Sequence, residues 1–280
     1  MFRPIPLLLV LALSLTAAPA LAQQVAGPRA LGMGEAHRGV GLGNDTLFLN
    51  PAGMSLAPRY VIESFFRHDS GTKASLFSIS LIDSKSGPVA GGLAYTYEWV
   101  GEESSVRAGS RVDMGSSYAL AKFLLFGITM HYHGLQTAEG QVNRVTGDTG
   151  FLIVPASFIS IGITGHNVIN PVPETNAAPR MFGGGINLRI VPGLNLAFDW
   201  RKSVEIEGKP AAYHFGGEYY LGQSFPIRAG YTSDEVLDQQ RWSLGLGVAL
   251  PSFGLDVSYS RTIRSTDRVQ VFAVGIYLVL

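Results

Sequence analysis

The sequence predicts an all-β fold, a transmembrane antiparallel β-barrel of about fourteen strands with an N-terminal plug in its lumen. Three observations predict it: a repeated hairpin pattern, a low content of charge, and an alternation of short and long connections. The clearest hairpin runs from Trp242 to Ser260, with a tight link at Pro251-Ser252. Its apolar residues alternate with small or polar ones, so each strand has one apolar face and one small, polar face.

The composition favours the barrel over a soluble β-sandwich, in which the apolar face would contact a second sheet. Charged residues make up 15% of the chain, against roughly 25% in average soluble proteins. The chain has 34 glycines and 10% aromatic residues. A glycine-rich soluble β protein remains the alternative at this level. Lys plus Arg (21) equals Asp plus Glu (21), which gives no support to a nucleic-acid-binding surface.

Residues 1–22 have the pattern of a secretory signal peptide. Arg3 precedes a short apolar run, Leu7 to Leu15, and Ala20-Leu21-Ala22 is a small-x-small cleavage site. No apolar run in the sequence is long enough for a membrane-spanning helix. A membrane form of this chain would therefore be a closed barrel, because only helices and closed barrels satisfy their backbone in lipid. We expect export by the Sec pathway to the outer membrane of a Gram-negative cell.

The rest of the chain divides into two regions without a Pro/Ser-rich linker between them. Residues 23–58 are rich in glycine and lack strand alternation, and we interpret them as a hatch segment. Residues 59–280 are strand and turn throughout, and we interpret them as the barrel. Each predicted strand is near the 9–11 residues that a tilted strand needs to cross a bilayer. The predicted strands are 59–67, 72–83, 88–99, 110–121, 123–134, 146–154, 158–166, 180–190, 193–201, 211–221, 225–231, 241–250, 253–261 and 269–280.

The connections between these strands alternate in length, as in bacterial barrels, which have tight periplasmic turns and longer outer loops. Trp99, Trp200 and Trp242 each lie where a strand meets a long connection. This pattern indicates an aromatic girdle at the outer membrane surface. Short links are predicted at 84–87, 122, 155–156, 192, 222–223 and 251–252, and long ones at 101–109, 136–145, 167–179, 202–210, 232–240 and 262–267.

The alternation assigns a set of charged and polar side chains to the inner face of the barrel. Both signs of charge occur in this set, so its members can pair across the lumen. A charged Arg or Lys facing lipid near the midplane would cost roughly 2–4 kcal/mol. The predicted lumen-facing residues are Glu63, Arg67, Glu98, Arg111, Asp113, His131, His133, Arg189, Asp199, Arg201, Glu218, Arg228 and Asp256.

A barrel of about fourteen strands is wider than its own side chains can fill, and the hatch segment is the candidate plug. It contains Leu31-Gly32-Met33-Gly34-x-Ala36, then Gly39-x-Gly41-x-x-Asn44-Asp45, then Asn50-Pro51-Ala52-Gly53-Met54 just before the first strand. This order resembles the N-terminal hatch of FadL/TodX-type outer-membrane transport barrels and is similar to that of their shorter PorV-like relatives.

The resemblance implies a fourteen-stranded barrel plugged by the hatch and uptake of long-chain fatty acids or other hydrophobic molecules. In this family such molecules leave sideways into the membrane when the hatch and a kink in the wall permit. It further implies a gating role for a set of hatch residues: Gly32, Gly34, Asp45, Asn50, Pro51 and Ala52. Leu47, Phe48 and Leu49 are candidate contacts to an apolar ligand, and ordinary packing of the plug is the alternative.

The chain departs from the fatty-acid branch in its short, polar outer connections. This departure favours a second interpretation, a PorV-like structural or interaction barrel that serves protein secretion or surface attachment with an unidentified protein partner. Gly91-Gly92 is either the wall kink or a close contact with the hatch. The C-terminal strand, with Gly275, Leu278 and Leu280, is similar to the signal that the barrel-assembly machinery reads.

Recognisable catalytic chemistry is absent from the sequence. We find no serine-nucleophile elbow, phosphate-binding loop or HExxH motif, and no cysteine. His131 and His133 share one strand face, but nothing in the sequence supplies a third metal ligand. We therefore predict no enzyme activity, no cofactor and no metal, and we expect membrane lipid and a hydrophobic small molecule as partners.

Overall fold

The computed structural model describes residues 25–100, 106–137, 140–170, 179–205, 208, 210–235, 238–264 and 269–280. These residues form fourteen antiparallel strands, and β1 pairs with β14 so that the sheet closes. The predicted barrel is therefore confirmed. The predicted signal peptide, residues 1–22, lies outside the described residues. The strands are β1 (Tyr60–Asp69), β2 (Ala74–Asp83), β3 (Val89–Trp99), β4 (Val106–Ala121), β5 (Leu124–Thr137), β6 (Gly140–Ala156), β7 (Ile159–Ile169), β8 (Met181–Val191), β9 (Leu194–Ser203), β10 (Ala211–Leu221), β11 (Phe225–Asp234), β12 (Gln239–Ala249), β13 (Phe253–Arg264) and β14 (Gln270–Val279).

The two faces of the wall have the opposite chemistry from a soluble barrel. On β12, Leu244 and Leu246 are exposed on the outer face, 51% and 62% respectively, whereas Ser243 and Gly245 are buried on the inner face. The same alternation places large apolar side chains on the outside of the other strands. An apolar exterior around a polar interior is the arrangement that lipid requires.

Tight turns of two or three residues join the strands at one end of the barrel, at 122–123, 157–158, 192–193, 222–224 and 250–252. The three tryptophans lie towards the other end. The predicted asymmetry is present only in part. At the other end, β5 and β6 are joined by only 138–139, and the links 70–73 and 235–238 have four residues each, whereas the link 84–88 at the tight end has five.

Parts of several predicted long connections are strand, most of all 136–145. β4 begins at Val106 and not at 110, and β6 begins at Gly140 and not at 146. Residues 140–145 pair with the end of β5 in a regular hairpin. Their polar sequence was mistaken for a loop because these strands extend past the predicted aromatic girdle, where water on both faces removes the apolar alternation. Residues 101–105 of the first connection are not among the described ones.

The predicted link at Pro155-Ala156 is also wrong. β6 continues to Ala156, and the turn follows at 157–158. The register between β6 and β7 shifts between Ile153 and Ala156. A bulge of this kind accommodates a proline, which has no N–H to donate to the ladder.

The glycine pair in β3 marks a close contact with the hatch. β3 pairs with β2 and β4 without a register shift through Gly91 and Gly92, so the strand has no bulge there. A Cβ added to Gly92 would lie 2.7 Å from Met54 Sδ and 2.9 Å from a Leu47 methyl, whereas one added to Gly91 would meet nothing within 4 Å. Of the two interpretations left open, the structure supports the close contact.

Three short helices precede the barrel: α1 (Pro28–Gly32), α2 (Thr46–Leu49) and a 3-10 helix (Pro51–Ser55). Proline occupies the first turn of α1 and of the 3-10 helix, where its missing N–H costs nothing. Asn50 caps the 3-10 helix, since its side-chain oxygen accepts the N–H of Ala52 at 3.2 Å. None of the described helices has the length and apolar character needed to cross a membrane.

Residues 25–58, which we call the hatch, lie inside the barrel. α1 packs against β11–β14, and the 3-10 helix packs against β3–β6. These two groups of strands are on nearly opposite sides of the closed wall. The hatch therefore crosses the lumen from one side to the other, and most of its side chains are buried.

We predict that Gly127→Ala destabilises the barrel by about 1–3 kcal/mol, the usual cost of overpacking. Gly127 lies on β5, and a Cβ there would overlap the backbone of Pro51 and Ala52 in the hatch. Gly91→Ala is the matched control, because its methyl group points into open space. Urea unfolding in detergent micelles, followed by tryptophan fluorescence, measures both. Equal midpoints for the two variants would show that the hatch does not press on the wall at Gly127.

Candidate functional site at the hatch–wall interface

The interface between hatch and wall has two chemically different sides. Towards β8–β13 the hatch is held by buried charges, and we call this the ion-paired side. Towards β1–β7 it is held by apolar contacts and close backbone packing, and we call this the apolar seam. Residues 46–58 contain no charged residue, so the seam has no ion pair from this stretch of the hatch.

Arg29 of α1 joins a network on the ion-paired side. Its guanidinium donates to both carboxylate oxygens of Glu218, at 2.7 and 3.1 Å. Arg228 donates to the same carboxylate at 2.7 Å and also pairs with Asp256. Burial by itself would lower the pKa of Arg29, but Glu218 outweighs it and raises the pKa, so the guanidinium stays charged. Paired, bidentate geometry is what makes such burial tolerable.

Asp199 of β9 binds the next turn of the hatch, and we call its carboxylate the socket. Its carboxylate accepts the backbone N–H groups of His37 and Arg38, both at 2.7 Å, and lies 3.4 Å from the Arg38 guanidinium. Burial lowers the pKa of Arg38, and Asp199 opposes that shift. Gly185 on β8 faces this carboxylate, and any side chain there would overlap it. The glycine therefore makes room for the socket.

The backbone turn at Gly34 and Glu35 is the third contact on this side. Both residues have left-handed φ values, 64° and 65°. The Gly34 carbonyl accepts hydrogen bonds from His214 Nδ1 at 2.8 Å and from the Thr232 hydroxyl at 2.7 Å. The Glu35 carboxylate lies 3.5 Å from the Arg241 guanidinium.

The hatch also holds itself together. Asp45, just before α2, accepts the N–H groups of Gly27 and Ala30 at 2.6 and 3.2 Å, which caps the start of α1. Asn50 donates to the carbonyls of Arg38 and of Phe151 on β6, at 2.8 and 3.2 Å. These two polar side chains fix the folded shape of an otherwise glycine-rich segment.

The apolar seam brings Leu47, Phe48 and Leu49 into one cluster with Met54 and apolar residues of the wall. The polar bonds that cross it are mainly hydrogen bonds between neutral groups. The Thr129 hydroxyl donates to the Leu47 carbonyl at 3.2 Å, and Ser117 donates to the Ala52 carbonyl at 3.0 Å. The side chains of the wall in this cluster are Phe65, Leu76, Ile82, Ala90 and Ala94.

The residues predicted to gate the hatch lie at its tightest contacts with the wall. Gly32 packs on Gly245 of β12, and a Cβ added to it would lie 3.1 Å from the Gly245 backbone. Asn50, Pro51 and Ala52 face the glycines of β5–β7. The gating role of the six predicted residues and the ligand-contact role of Leu47 to Leu49 remain predictions.

None of the predicted lumen residues is exposed. Several contact one another: Arg111 with Asp113 and His131, and Arg228 with Glu218 and Asp256. Arg189 lies apart and donates to Ser160 at 3.1 Å. Buried members are Arg67, Asp113, His131, Asp199, Arg201, Glu218, Arg228 and Asp256, and half-buried members are Glu63, Glu98, Arg111, His133 and Arg189.

Sequence reasoning missed several partners of these charges. Asp148 lies on the inner face of a predicted strand, so the alternation would have found it. Asp234 was assigned to a connection, but it is the last residue of β11 and pairs with Arg201 at 2.6 Å. Arg29 and Arg38 have no pattern of their own. Their only signal is that a charged residue in a buried plug needs a partner.

The outer face of the wall carries an apolar groove of about 630 Å³ across β8–β11. It is lined mainly by aliphatic and aromatic side chains, including Ile186, Leu196 and Phe215. Gly216 and Gly230 form part of its floor, with Met33 of the hatch directly behind them. The ladder between β10 and β11 is continuous at this point, so the groove faces lipid and does not interrupt the wall.

Comparison with solved structures identifies the fold. The CymD monoaromatic hydrocarbon channel superposes with a TM-score of 0.69 at 14% identity, covering 90% of this chain and 96% of that chain. The Ralstonia pickettii toluene transporter TbuX gives 0.65 at 14%, covering 91% and 97%. A Pseudomonas aeruginosa FadL homologue gives 0.65 at 12%, covering 91% and 99%. No protein-family model and no curated protein matches the chain. The fold is that of FadL/TodX-type barrels, as the N-terminal motifs predict.

We predict that Asp199→Asn loosens the hatch at a cost on the order of 3 kcal/mol, because it removes the carboxylate that pairs with the buried Arg38 cation. The measurement is the rate at which added protease cuts the hatch in detergent-solubilised protein. Glu205→Gln is the control: it removes one partner of an ion pair with Arg180 that is 44% and 24% exposed, at a cost below about 1 kcal/mol. Equal cutting of both variants would rule out a socket role for Asp199.

We predict an acid limit to hatch docking that depends on Glu35. Burial raises the pKa of Glu35, but Arg241, Arg201, Arg67 and Arg38 lower it by more, so its pKa is below the usual 4.5. A carboxyl with a lowered pKa stabilises the fold above its unfolded value and loses that contribution as the pH falls through the folded value. The unfolding free energy should fall more steeply below pH 4.5 in the wild type than in Glu35→Gln. Parallel curves would refute this.

Proposed function

We propose that this protein is an outer-membrane channel for passive transport of small hydrophobic molecules, among them long-chain fatty-acid-like compounds. The proposal rests on the shared fold with proteins described as hydrocarbon channels and toluene transporters. Residues 1–22 then serve as a Sec signal, 23–58 as the hatch and 59–280 as the barrel. Its partners are outer-membrane lipid, the barrel-assembly machinery during biogenesis and the transported molecule, with no cofactor and no catalysis.

The observation that carries the proposal is the asymmetry of the hatch–wall interface. The ion-paired side has three buried ion pairs between wall and hatch: Glu218 with Arg29, Asp199 with Arg38, and Arg241 with Glu35 of the hatch. The described polar bonds across the apolar seam are mainly hydrogen bonds between neutral groups, among them Ser55–Ser117 and Ser160–Gly39, and residues 46–58 of the hatch contribute no charge to it. Breaking a buried ion pair costs about 3–5 kcal/mol, whereas a neutral hydrogen bond contributes about 1 kcal/mol. The seam is therefore the side that opens first.

An opened seam has the right chemistry for a hydrophobic molecule. Its hatch side presents Leu47, Phe48 and Leu49. Its wall side combines apolar side chains and glycines with a few polar groups, namely Thr129, Ser117 and Arg111. Glycines of β3–β7 give this strip of wall an even surface without side chains: Gly92, Gly115, Gly127, Gly150 and Gly162. A molecule would pass between the two surfaces, past Asn50-Pro51-Ala52, while the ion-paired side keeps the hatch in the barrel.

The chain allows a direct test because it contains no cysteine (Cys 0). The hydroxyls of Ser55 in the hatch and Ser117 on β4 lie 2.7 Å apart, a spacing that suits a disulfide between cysteines at these positions. We expect oxidised Ser55→Cys/Ser117→Cys to lose most uptake of a small aromatic hydrocarbon into liposomes, and to regain it on reduction. Deletion of residues 24–54 should instead raise permeation while the barrel still assembles.

The control is Ser78→Cys/Thr96→Cys, whose parent hydroxyls lie 2.9 Å apart between β2 and β3. It cross-links two wall strands that are already paired and leaves the seam free. Uptake should be unchanged by its oxidation, and glucose uptake should be low throughout. Unchanged hydrocarbon uptake with the seam locked would argue against this route, and unchanged uptake after the deletion would argue against gating.

A second function, a PorV-like structural or interaction barrel, is favoured by one observation. The hatch fills the lumen, and the lumen also contains buried ion pairs. Both features suit a permanently closed barrel. Purification from outer membranes separates the two functions. A stoichiometric protein partner together with no hydrocarbon uptake supports the interaction role, and a co-purified apolar ligand supports transport.

A further inference from the structure

A chain of four buried ionisable side chains crosses β4–β7 on the inner face of the wall. Asp113, His131, Asp148 and His166 form it, and we call it the relay. His131 Nδ1 contacts Asp113, and His131 Nε2 lies 3.2 Å from Asp148 Oδ2. The same Asp148 oxygen lies 2.7 Å from His166 Nδ1. All four side chains are at most 6% exposed.

The relay has an uneven charge unless one histidine is protonated. It contains two carboxylates, and the guanidinium bonded to them among the described contacts is that of Arg111, which donates to Asp113. An unbalanced buried charge is costly. His131 is the better cation, because a carboxylate lies beside each of its ring nitrogens. His166 has one carboxylate beside it and is faced by the cations Arg38 and Arg201.

Asp148 links the relay to an irregularity of the wall. The pairing of β6 with β7 jumps from Thr149–Gly165 to Gly147–Ile169, so β7 carries extra residues here. Asn167 within the bulge has a left-handed φ of 55°, and its N–H donates to Asp148 Oδ1 at 2.8 Å. One carboxylate thus holds the bulge through one oxygen and both histidines through the other.

Arg111 links the relay to the hatch. Its guanidinium lies 3.0 Å from His131 Nδ1 and 5.7 Å from the centre of the Phe48 ring in α2. A guanidinium at this distance from a ring is attracted to it. A change of charge at His131 therefore reaches both the bulge in β7 and the side chain at the centre of the apolar seam.

We infer that the relay is a pH-sensitive clasp. The imidazolium of His131 holds the Asp113 and Asp148 carboxylates together and so fixes β7 and the Arg111–Phe48 contact. Loss of its proton leaves two carboxylates with one cation, and the bulge and the Arg111–Phe48 contact loosen. The clasp is closed at acidic and neutral pH and opens as the pH rises.

Other charged groups surround His131 and modulate this titration. His133, the next inward residue on β5, has its ring centre 6.1 Å from that of His131. Arg144 on β6 acts on His133, while Arg38 of the hatch and Arg201 of β9 act on His166. None of these cations bonds to Asp113 or Asp148 among the described contacts, so His131 remains the group on which the balance depends.

Nitrogen NMR of the six histidine rings in detergent micelles tests the charge state. We expect one ring to be doubly protonated at pH 7.5, its signal to vanish in His131→Gln, and to persist in His133→Gln. His133→Gln is the matched control, on the same strand and face but without a carboxylate contact among the described residues. Six neutral rings at pH 7.5 would overturn the inference, as would a cationic ring that persists in His131→Gln.

A second measurement tests the mechanical part and does not involve transport. The apparent melting temperature should fall by several degrees between pH 6.5 and 9 in the wild type and in His133→Gln, because a protonated histidine that gains partners stabilises the fold at low pH. His131→Gln should have a lower melting temperature at pH 6.5 and no such fall. The same pH dependence in all three proteins would overturn the clasp even if His131 is charged.

Discussion

One constraint underlies this structure: a charged side chain that is buried needs a partner of opposite charge. A wall that faces lipid must turn its polar residues inward, and the resulting lumen holds carboxylates and guanidiniums away from bulk water. Asp199 and Glu218 each take up a cation and donors from the hatch. The hatch is thus the counterpart that makes the inner face of the wall tolerable, and the wall does the same for the arginines of the hatch.

The same constraint makes the two sides of the hatch–wall interface different. The described ion pairs between hatch and wall lie on β8–β13, whereas residues 46–58 on the opposite side of the hatch carry no charge. Glycines in the wall complete this side, because they let the backbone of the 3-10 helix approach to contact distance. An interface that is strong on one side and weak on the other has a built-in hinge axis. In the proposed function, the strong side would hold the plug and the weak side would admit the solute.

The barrel could be predicted from the sequence, whereas the contacts between hatch and wall could be predicted only in part. Alternation with a period of two identifies every strand and the inner face, so Asp113, Glu218 and Arg228 were found by parity alone. The alternation fails where both faces of a strand meet water, which is why the extension of β6 was mistaken for a loop. The partners of Arg29 and Arg38 could not be predicted from the sequence, because contacts between a glycine-rich segment and distant strands leave no local pattern in it.

The self-contained fold of the hatch has a consequence for how the protein is made. Asp45 ties the start of this segment to its middle by accepting the N–H groups of Gly27 and Ala30, both more than a dozen residues away along the chain. A plug that is held together by hydrogen bonds of its own does not need a finished barrel to give it its shape. It can take shape early in biogenesis, while the strands are still being added, and serve as the core on which the sheet curls and closes.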